Sequence, residues 1–104
     1  MFHSTHVFTG ETIYRRPAQS YTEFTDELNR LQTLQQTFAQ SSITERTALL
    51  QQFADSLTQN QERLAEMVCE EVGRCLHECR AEISKSIELI RYYVRLAPEL
   101  LAHK

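Results

Sequence analysis

Residues 42–57 read SITERTALLQQFADSL, and this stretch shows the pattern that most of the chain follows. Ser42 and Glu45 have the Ser-x-x-Glu spacing of a capping box, in which each side chain accepts a hydrogen bond from the backbone N–H of the other residue. Apolar side chains then recur every three to four residues, at Leu49, Leu50, Phe53 and Leu57. We expect these four side chains to face inward on an amphipathic helix that begins after Ser42.

Similar patterns on both sides predict three further helices. The helix before this stretch runs from about Thr22 to Gln40, capped by Ser20 or Thr22, and its stripe is Phe24, Leu28, Leu31, Leu34 and Phe38. The helix after it is capped by Asn60, and its apolar side is Leu64, Met67, Val68 and Val72. Gly73 ends that helix, because glycine takes the left-handed conformation without steric cost.

A fourth helix is expected from about Leu76 to Ala97, with the stripe Ile83, Ile87, Ile90 and Val94. Pro98 is expected to end it, because proline lacks the N–H that a helix needs and disfavours helical geometry in the preceding residue.

The first residues have a different character. His6–Tyr14 is short and rich in strand-forming residues, and Gly10 is placed to turn two brief extended pieces before Pro17. The predicted fold class is therefore mostly α: about four amphipathic helices with a short β-like N-terminal segment. We divide the chain into an extended segment, 1–21, and a helical region, 22–104.

The composition excludes several classes of function. The net charge is −3 with both signs interspersed, so the chain lacks the basic stripe that a nucleic-acid partner requires. No apolar run approaches the ~20 residues of a membrane span, and the start is unlike a secretory signal, so we expect a cytoplasmic protein. The odd number of cysteines, three, favours reduced thiols over a disulfide framework.

Four motifs in order resemble the aldehyde dehydrogenase family. The family's Asn-Pro-x-Thr-Gly-Glu turn is similar to Val7–Glu11, without the Asn-Pro, and its Ser-x-x-Glu-Arg motif matches Ser42–Arg46. A family helix that reads leucine-alanine, then acidic residues, then Glu-x-Gly-Lys resembles Leu64–Glu66 followed by Glu71–Arg74, with arginine in place of lysine. Its acidic helix with a tyrosine pair resembles Arg80–Tyr93, which is most similar to the bacterial succinate-semialdehyde dehydrogenase branch.

This resemblance implies that the chain is the N-terminal portion of an NAD(P)-dependent enzyme that oxidises an aldehyde to a carboxylic acid. In the family the cofactor domain, the nucleophilic cysteine, the general-base glutamate and the oxyanion-hole asparagine all lie further along the chain. No Gly-rich phosphate loop occurs here, since Gly10 and Gly73 are far apart. We therefore expect no catalytic and no cofactor-binding residues: NAD or NADP belongs to the complete enzyme, and this chain serves as an inactive scaffold.

A metal site or a catalytic thiol is the main alternative use of the cysteines. Cys75 and Cys79 are expected to share a helix face, but His77 lies about 200° round that helix, and Cys69 belongs to the preceding one. We expect no metal site. Cys75 is near a helix start and beside Arg74, which can make a thiol acidic, but its context differs from that of the family nucleophile.

Other candidate groups favour ordinary structural roles. Glu66, Glu70 and Glu71 are expected to form a solvated face. The histidines at positions 3, 6, 77 and 103 are scattered without the spacing of a catalytic triad. Tyr92 and Tyr93 are expected to pack half-buried with their hydroxyls at the surface.

The same amphipathic helices are also compatible with a second function. Amphipathic helices that evolved to pack on a larger body expose apolar surface when alone, and such surface usually marks an interface. The expected partners are therefore the missing dehydrogenase body or a second copy of the chain in a homo-oligomer. The alternative function is a free-standing helical module that self-associates or binds a partner.

Overall fold

A two-stranded sheet and four helices make up the chain in the computed structural model, which describes residues 1–102. The elements are β1 (Phe2–Thr5), β2 (Thr12–Arg16), α1 (Tyr21–Phe38), α2 (Ile43–Gln59), α3 (Gln61–Val72) and α4 (Leu76–Leu101). The predicted fold class, mostly α with about four helices and a short β-like start, is confirmed. None of the helices described combines the length and apolar character that a bilayer crossing needs.

The strands β1 and β2 form an antiparallel hairpin. Phe2 pairs with Arg16 and Ser4 with Tyr14, and the register shifts between Ser4 and Thr5. Gly10 has a φ of +77°, which supplies the left-handed residue of the turn. β1 lies before the predicted stretch His6–Tyr14 and β2 overlaps its end, because the first residues of that stretch form the turn.

Two capping boxes fix where α1 and α2 begin. At α2 the Glu45 N–H donates to the Ser42 hydroxyl over 3.1 Å, and the Ser42 N–H donates to the Glu45 carboxylate over 2.8 Å. Ser20 and Glu23 make the same exchange at α1, over 3.1 and 2.7 Å. The capping box predicted at Ser42 is confirmed, and of the two caps proposed for the first helix Ser20 is the one used.

Gly73 ends α3 with a φ of +80°, as predicted. Asn60 holds the N-cap position of α3, but its side chain does not cap that helix. The Asn60 amide donates instead to the Ser56 carbonyl over 2.8 Å, so it closes the end of α2. The prediction that Asn60 caps the third helix was wrong in this respect, because α2 and α3 share this single residue as their junction.

The prediction that Pro98 ends the fourth helix was also wrong. α4 continues through Pro98 to Leu101. Pro98 has no N–H to donate to the Val94 carbonyl. Pro98 lies within the last turn of α4 and is solvent-exposed, so water can donate to that carbonyl instead.

The core lies where α4 packs across both α2 and α3. Its buried side chains are few and mostly small: Ala54, Ala65, Cys79 and Ile87. Small residues let helix backbones approach closely, and polar contacts hold the edges of this core. The Gln61 amide donates to the Ser84 hydroxyl over 2.5 Å, and the Arg91 guanidinium donates to the Thr58 hydroxyl over 3.2 Å.

The apolar stripe of α4 faces this core as predicted, since Ile87 is buried and Ile83, Ile90 and Val94 are half-buried. The inward assignment on α2 was largely wrong. Leu57 is half-buried, but Leu49, Leu50 and Phe53 are 54, 43 and 53% exposed. Ala54 and its helical neighbours meet α4 instead, so these larger side chains lie on an adjoining, uncovered face. On α3, Leu64 and Val68 are half-buried, whereas Met67 and Val72 are exposed, which corrects half of that assignment.

Among the described residues α1 packs against no other element along its length, and only its C-terminal end is contacted, by Arg46 of α2. The molecule is consequently flat and extended, with dimensions of 52 × 40 × 18 Å. Its radius of gyration is 18.1 Å, whereas a compact domain of this length has about 13 Å.

Candidate functional site

The three cysteines lie near the junction of α3 and α4 in three different environments. Cys69 is half-buried in the last turn of α3, Cys75 is exposed, and Cys79 is fully buried. Cys75 is the N-cap residue of α4 with extended backbone angles, φ −56° and ψ 137°, so it does not share a helix face with Cys79 as predicted. Within residues 1–102 no three His, Cys, Asp or Glu side chains come together in a group that could hold a metal ion.

The environment of Cys79 opposes nucleophilic chemistry. Burial raises the pKa of the Cys79 thiol, and the neighbouring Cys69 adds to the increase. Its Sγ lies 3.8 Å from the Arg74 carbonyl oxygen, which suits a protonated thiol as donor. A reactive cysteine needs the opposite shift, so Cys79 is a packing residue.

Carboxylates on this side of the molecule form interhelical ion pairs rather than an acid–base pair. Arg80 on α4 donates to both oxygens of Glu62 on α3, with Nε distances of 3.1 and 3.0 Å. This hydrogen bonding holds the pKa of Glu62 below its ordinary value. Arg74 pairs in turn with Glu78 and Glu82 along α4.

The expected solvated glutamate face is only partly solvated. Glu66 is exposed, but Glu70 and Glu71 are half-buried. The Glu70 carbonyl accepts the Val7 backbone N–H over 2.9 Å, so the N-terminal hairpin docks against this end of α3.

The remaining candidates are the tyrosine pair and the histidines. Tyr92 and Tyr93 meet edge to face with their ring centroids 5.3 Å apart, and they are 50 and 54% exposed, close to the half-buried packing expected. His3 and His77 are exposed, and His6 is half-buried in the hairpin turn. His103 lies outside the described residues.

Arg46 has a structural role that the sequence analysis did not find. Its guanidinium lies over the Phe38 ring, 5.4 Å from the centroid, and donates to the Ala39 carbonyl over 2.7 Å. Arg46 therefore satisfies a carbonyl at the end of α1 from the first turn of α2. The arginine of the Ser-x-x-Glu-Arg motif was visible, but its partners lie seven or eight residues back and could not be inferred from spacing.

The described residues do not fit the phosphates of a nicotinamide cofactor. Such a site needs a glycine-rich backbone that opens onto a helix N-terminus. Gly10 lies in a hairpin turn, and Gly73 ends a helix. A side chain at Gly73 would meet Val7 Cγ2 at 3.0 Å, so the space beside this glycine is already filled by the hairpin.

The most distinctive surface is apolar and uncovered. We name the α1 stripe as the side chains Phe24, Leu28, Leu31, Leu34 and Phe38, which are 43 to 54% exposed. The whole molecule exposes 8429 Å², whereas a compact monomer of this mass exposes about 6,000 Å². The excess is roughly 2,400 Å², several times the ~800 Å² that one side of a standard protein interface buries.

Known proteins match this chain along nearly its whole length. The model of the aldehyde dehydrogenase family matches residues 1–104. A succinate-semialdehyde dehydrogenase [NADP(+)] of Deinococcus radiodurans is 25% identical over 103 residues, which are 99% of this chain and 22% of the relative. A probable succinate-semialdehyde dehydrogenase [NADP(+)] of Synechocystis is 30% identical over 94 residues, 90% of this chain and 21% of the relative.

The fold is also similar to part of a solved dehydrogenase structure. The glyceraldehyde-3-phosphate dehydrogenase GapN of Methanocaldococcus jannaschii, complexed with NADP, superposes with a TM-score of 0.84 at 21% identity over 91% of this chain and 22% of that one. The chain thus has the fold of the N-terminal portion of a dehydrogenase subunit. It belongs to the aldehyde dehydrogenase family and spans about a fifth of the length of the relatives that it matches.

Proposed function

We propose that this chain is the N-terminal scaffold of an NAD(P)-dependent aldehyde dehydrogenase of the succinate-semialdehyde type. The complete enzyme oxidises the aldehyde to the acid and passes a hydride to NAD or NADP, and these residues supply neither the nucleophile nor the cofactor site. The observation that carries the proposal is the uncovered α1 stripe in a chain that belongs to this family. The similarity to succinate-semialdehyde dehydrogenases supports the substrate class.

The role of the scaffold is to present apolar surface to the rest of the dehydrogenase. Arg46 and the two capping boxes fix the ends of α1 and α2, so the stripe is held out from the core of α2, α3 and α4. Burying five large apolar side chains on one helix would add several kcal/mol of stability, at roughly 1.5–3 kcal/mol for each fully buried side chain. That gain is unavailable while α1 stands alone.

The expectation that this chain is inactive on its own is tested with the purified chain. We expect no saturable binding of NAD or NADP and no reduction of either cofactor with succinate semialdehyde. The full-length Deinococcus radiodurans relative serves as the positive control. Cofactor binding or turnover that co-purifies with this polypeptide would contradict the scaffold role.

The docking part is tested by mixing the chain with the Deinococcus radiodurans relative from which the matching fifth has been removed. We expect a complex whose mass is the sum of the two. Leu31→Glu, in the middle of the α1 stripe, should weaken that complex at least tenfold, while Gln36→Glu, about 140° round α1 from Leu31, should weaken it much less. Equal effects of the two variants would argue against docking through the stripe.

Self-association is a second candidate, favoured by the excess of exposed surface. A pair of chains joined along α1 would cover both stripes in one symmetric interface. The expected result is a dimer mass by light scattering that Leu31→Glu converts to a monomer and Gln36→Glu leaves unchanged. A monomer at every concentration would exclude this candidate and leave the scaffold proposal standing.

A further inference from the structure

The turn between β1 and β2 is built around the ring of His6. The Nδ1 atom of His6 accepts the backbone N–H of Phe8 over 3.2 Å and that of Thr9 over 3.4 Å. The backbone of His6 closes the same turn, since its N–H donates to the Glu11 carbonyl over 2.8 Å and its carbonyl accepts the Gly10 N–H over 2.9 Å. The ring is also fixed from the side by an edge contact with Phe8, at 5.9 Å between centroids.

An Nδ1 atom that accepts hydrogen bonds cannot carry a proton. The neutral ring must therefore have its proton on Nε2, because a charged imidazole has two N–H donors and no acceptor. Short polar side chains such as asparagine commonly close turns in this way, by accepting the N–H two residues further on. Histidine performs the same task here with a group that changes charge near neutral pH.

This turn also attaches the hairpin to the helical body. The Val7 N–H donates to the Glu70 carbonyl at the end of α3 over 2.9 Å. The Val7 side chain fills the space beside Gly73, where a Cβ would lie only 3.0 Å from Val7 Cγ2. The residue that docks the hairpin is therefore held between His6 and Phe8, inside the turn that the imidazole closes.

We propose that His6 is an acid-sensitive latch: the neutral ring closes the turn and docks the hairpin on α3, and protonation at Nδ1 releases it. The proton would point at two backbone N–H groups, so two attractive contacts become repulsive at once. The inference stands independently of the proposed scaffold function.

Charged groups lie near the latch on both of the elements that pack together at this turn. Glu11 lies across the turn, Glu70 and Glu71 lie in the last turn of α3, and Arg74 follows that helix. No ion pair joins any of them to the His6 ring within the part of the chain that is described.

The latch is tested by amide hydrogen exchange on the full chain at pH 8 and pH 5, expressed as protection factors to remove the intrinsic effect of pH. In the unmodified chain, protection at Val7, Phe8 and Thr9 should fall by about tenfold, the effect of losing two hydrogen bonds of ordinary net strength. In His6→Asn the turn stays closed by a group that does not titrate, so protection should change less than twofold. His3→Asn should retain the full tenfold fall.

A second test measures the protonation state of the His6 ring in the unmodified chain, so it does not depend on whether the variants fold. Nitrogen chemical shifts of the unmodified chain at pH 8 should identify His6 with its proton on Nε2. A proton on Nδ1, protection that does not fall in acid, or an equal fall in His6→Asn would each overturn the latch.

Discussion

Ser42 and Glu45 exchange two backbone hydrogen bonds within four residues of chain, and this exchange was predictable from the sequence alone. The same box at Ser20 and Glu23 lowers the pKa of Glu23 through the Ser20 backbone N–H. Such local signals depend on nothing distant. The contacts of Arg46 and of the His6 ring are almost as local, but they depend on which way the side chain turns, and spacing does not encode that.

Replacing the cap of α2 tests how much such a local signal contributes to stability. Ser42→Ala removes the acceptor for the Glu45 N–H. We expect the free energy of unfolding to fall by about 1 kcal/mol, measured by urea denaturation. Ser56→Ala, at an exposed position in the last turn of the same helix, should cost less than half as much; an equal loss would mean that the cap contributes little.

The Glu62–Arg80 pair predicts how stability depends on pH. The hydrogen bond from Arg80 lowers the pKa of Glu62 from 4.5 in the folded state. Above pH 4.5 Glu62 is ionised whether folded or unfolded, so the contribution of the pair is complete there, and it is lost as the pH falls through the lowered folded-state pKa. Because both side chains are about half exposed, at 55 and 50%, the effect is small.

The variant Glu62→Gln should therefore lose less stability than the unmodified chain between about pH 5 and pH 2. Thermal unfolding at each pH measures this loss. Glu88→Gln, at an exposed position without an ion pair among the residues described, is the matched control. Identical acid profiles for Glu62→Gln and the unmodified chain would contradict the assignment.

At the scale of the element, the periodicity of apolar residues predicted four helices with nearly correct ends. It could not predict which side of α2 is covered. Leu49 and Phe53 form an apolar face as regular as the one around Ala54, and only the distant α4 decides between the two. Pro98 was misjudged for a related reason, since a proline in the last turn of a long packed helix loses little that water cannot replace.

The two glycines test the link between the hairpin and α3. Both have positive φ, but a side chain at Gly73 would meet Val7, whereas nothing lies within 4 Å of the same point at Gly10. Gly10→Ala should cost about 1–2 kcal/mol from backbone strain alone. Gly73→Ala should cost more, because the hairpin must also shift. If denaturation shows a larger loss of unfolding free energy for Gly10→Ala than for Gly73→Ala, the Val7 side chain moves aside at little cost.

The whole molecule exposes more surface than a compact monomer of the same mass does. A radius of gyration of 18.1 Å and an uncovered α1 are what we expect of a piece of structure that packs against another surface. The sequence contained the α1 stripe but not its exposure, because periodicity identifies an apolar face without identifying the surface that covers it. A phosphate-binding glycine loop, by contrast, is a local motif, so the expectation that this chain lacks one needs no knowledge of distant contacts.

A scaffold role requires that α1 be a helix that needs a partner surface. An uncovered helix of 18 residues is only marginally stable in water, while α2, α3 and α4 stabilise one another. The most direct test is amide hydrogen exchange on the monomeric chain. We predict protection factors below about ten across α1 and at least a hundredfold higher in the middle of α4. Equal, strong protection of α1 and α4 in a verified monomer would contradict the account.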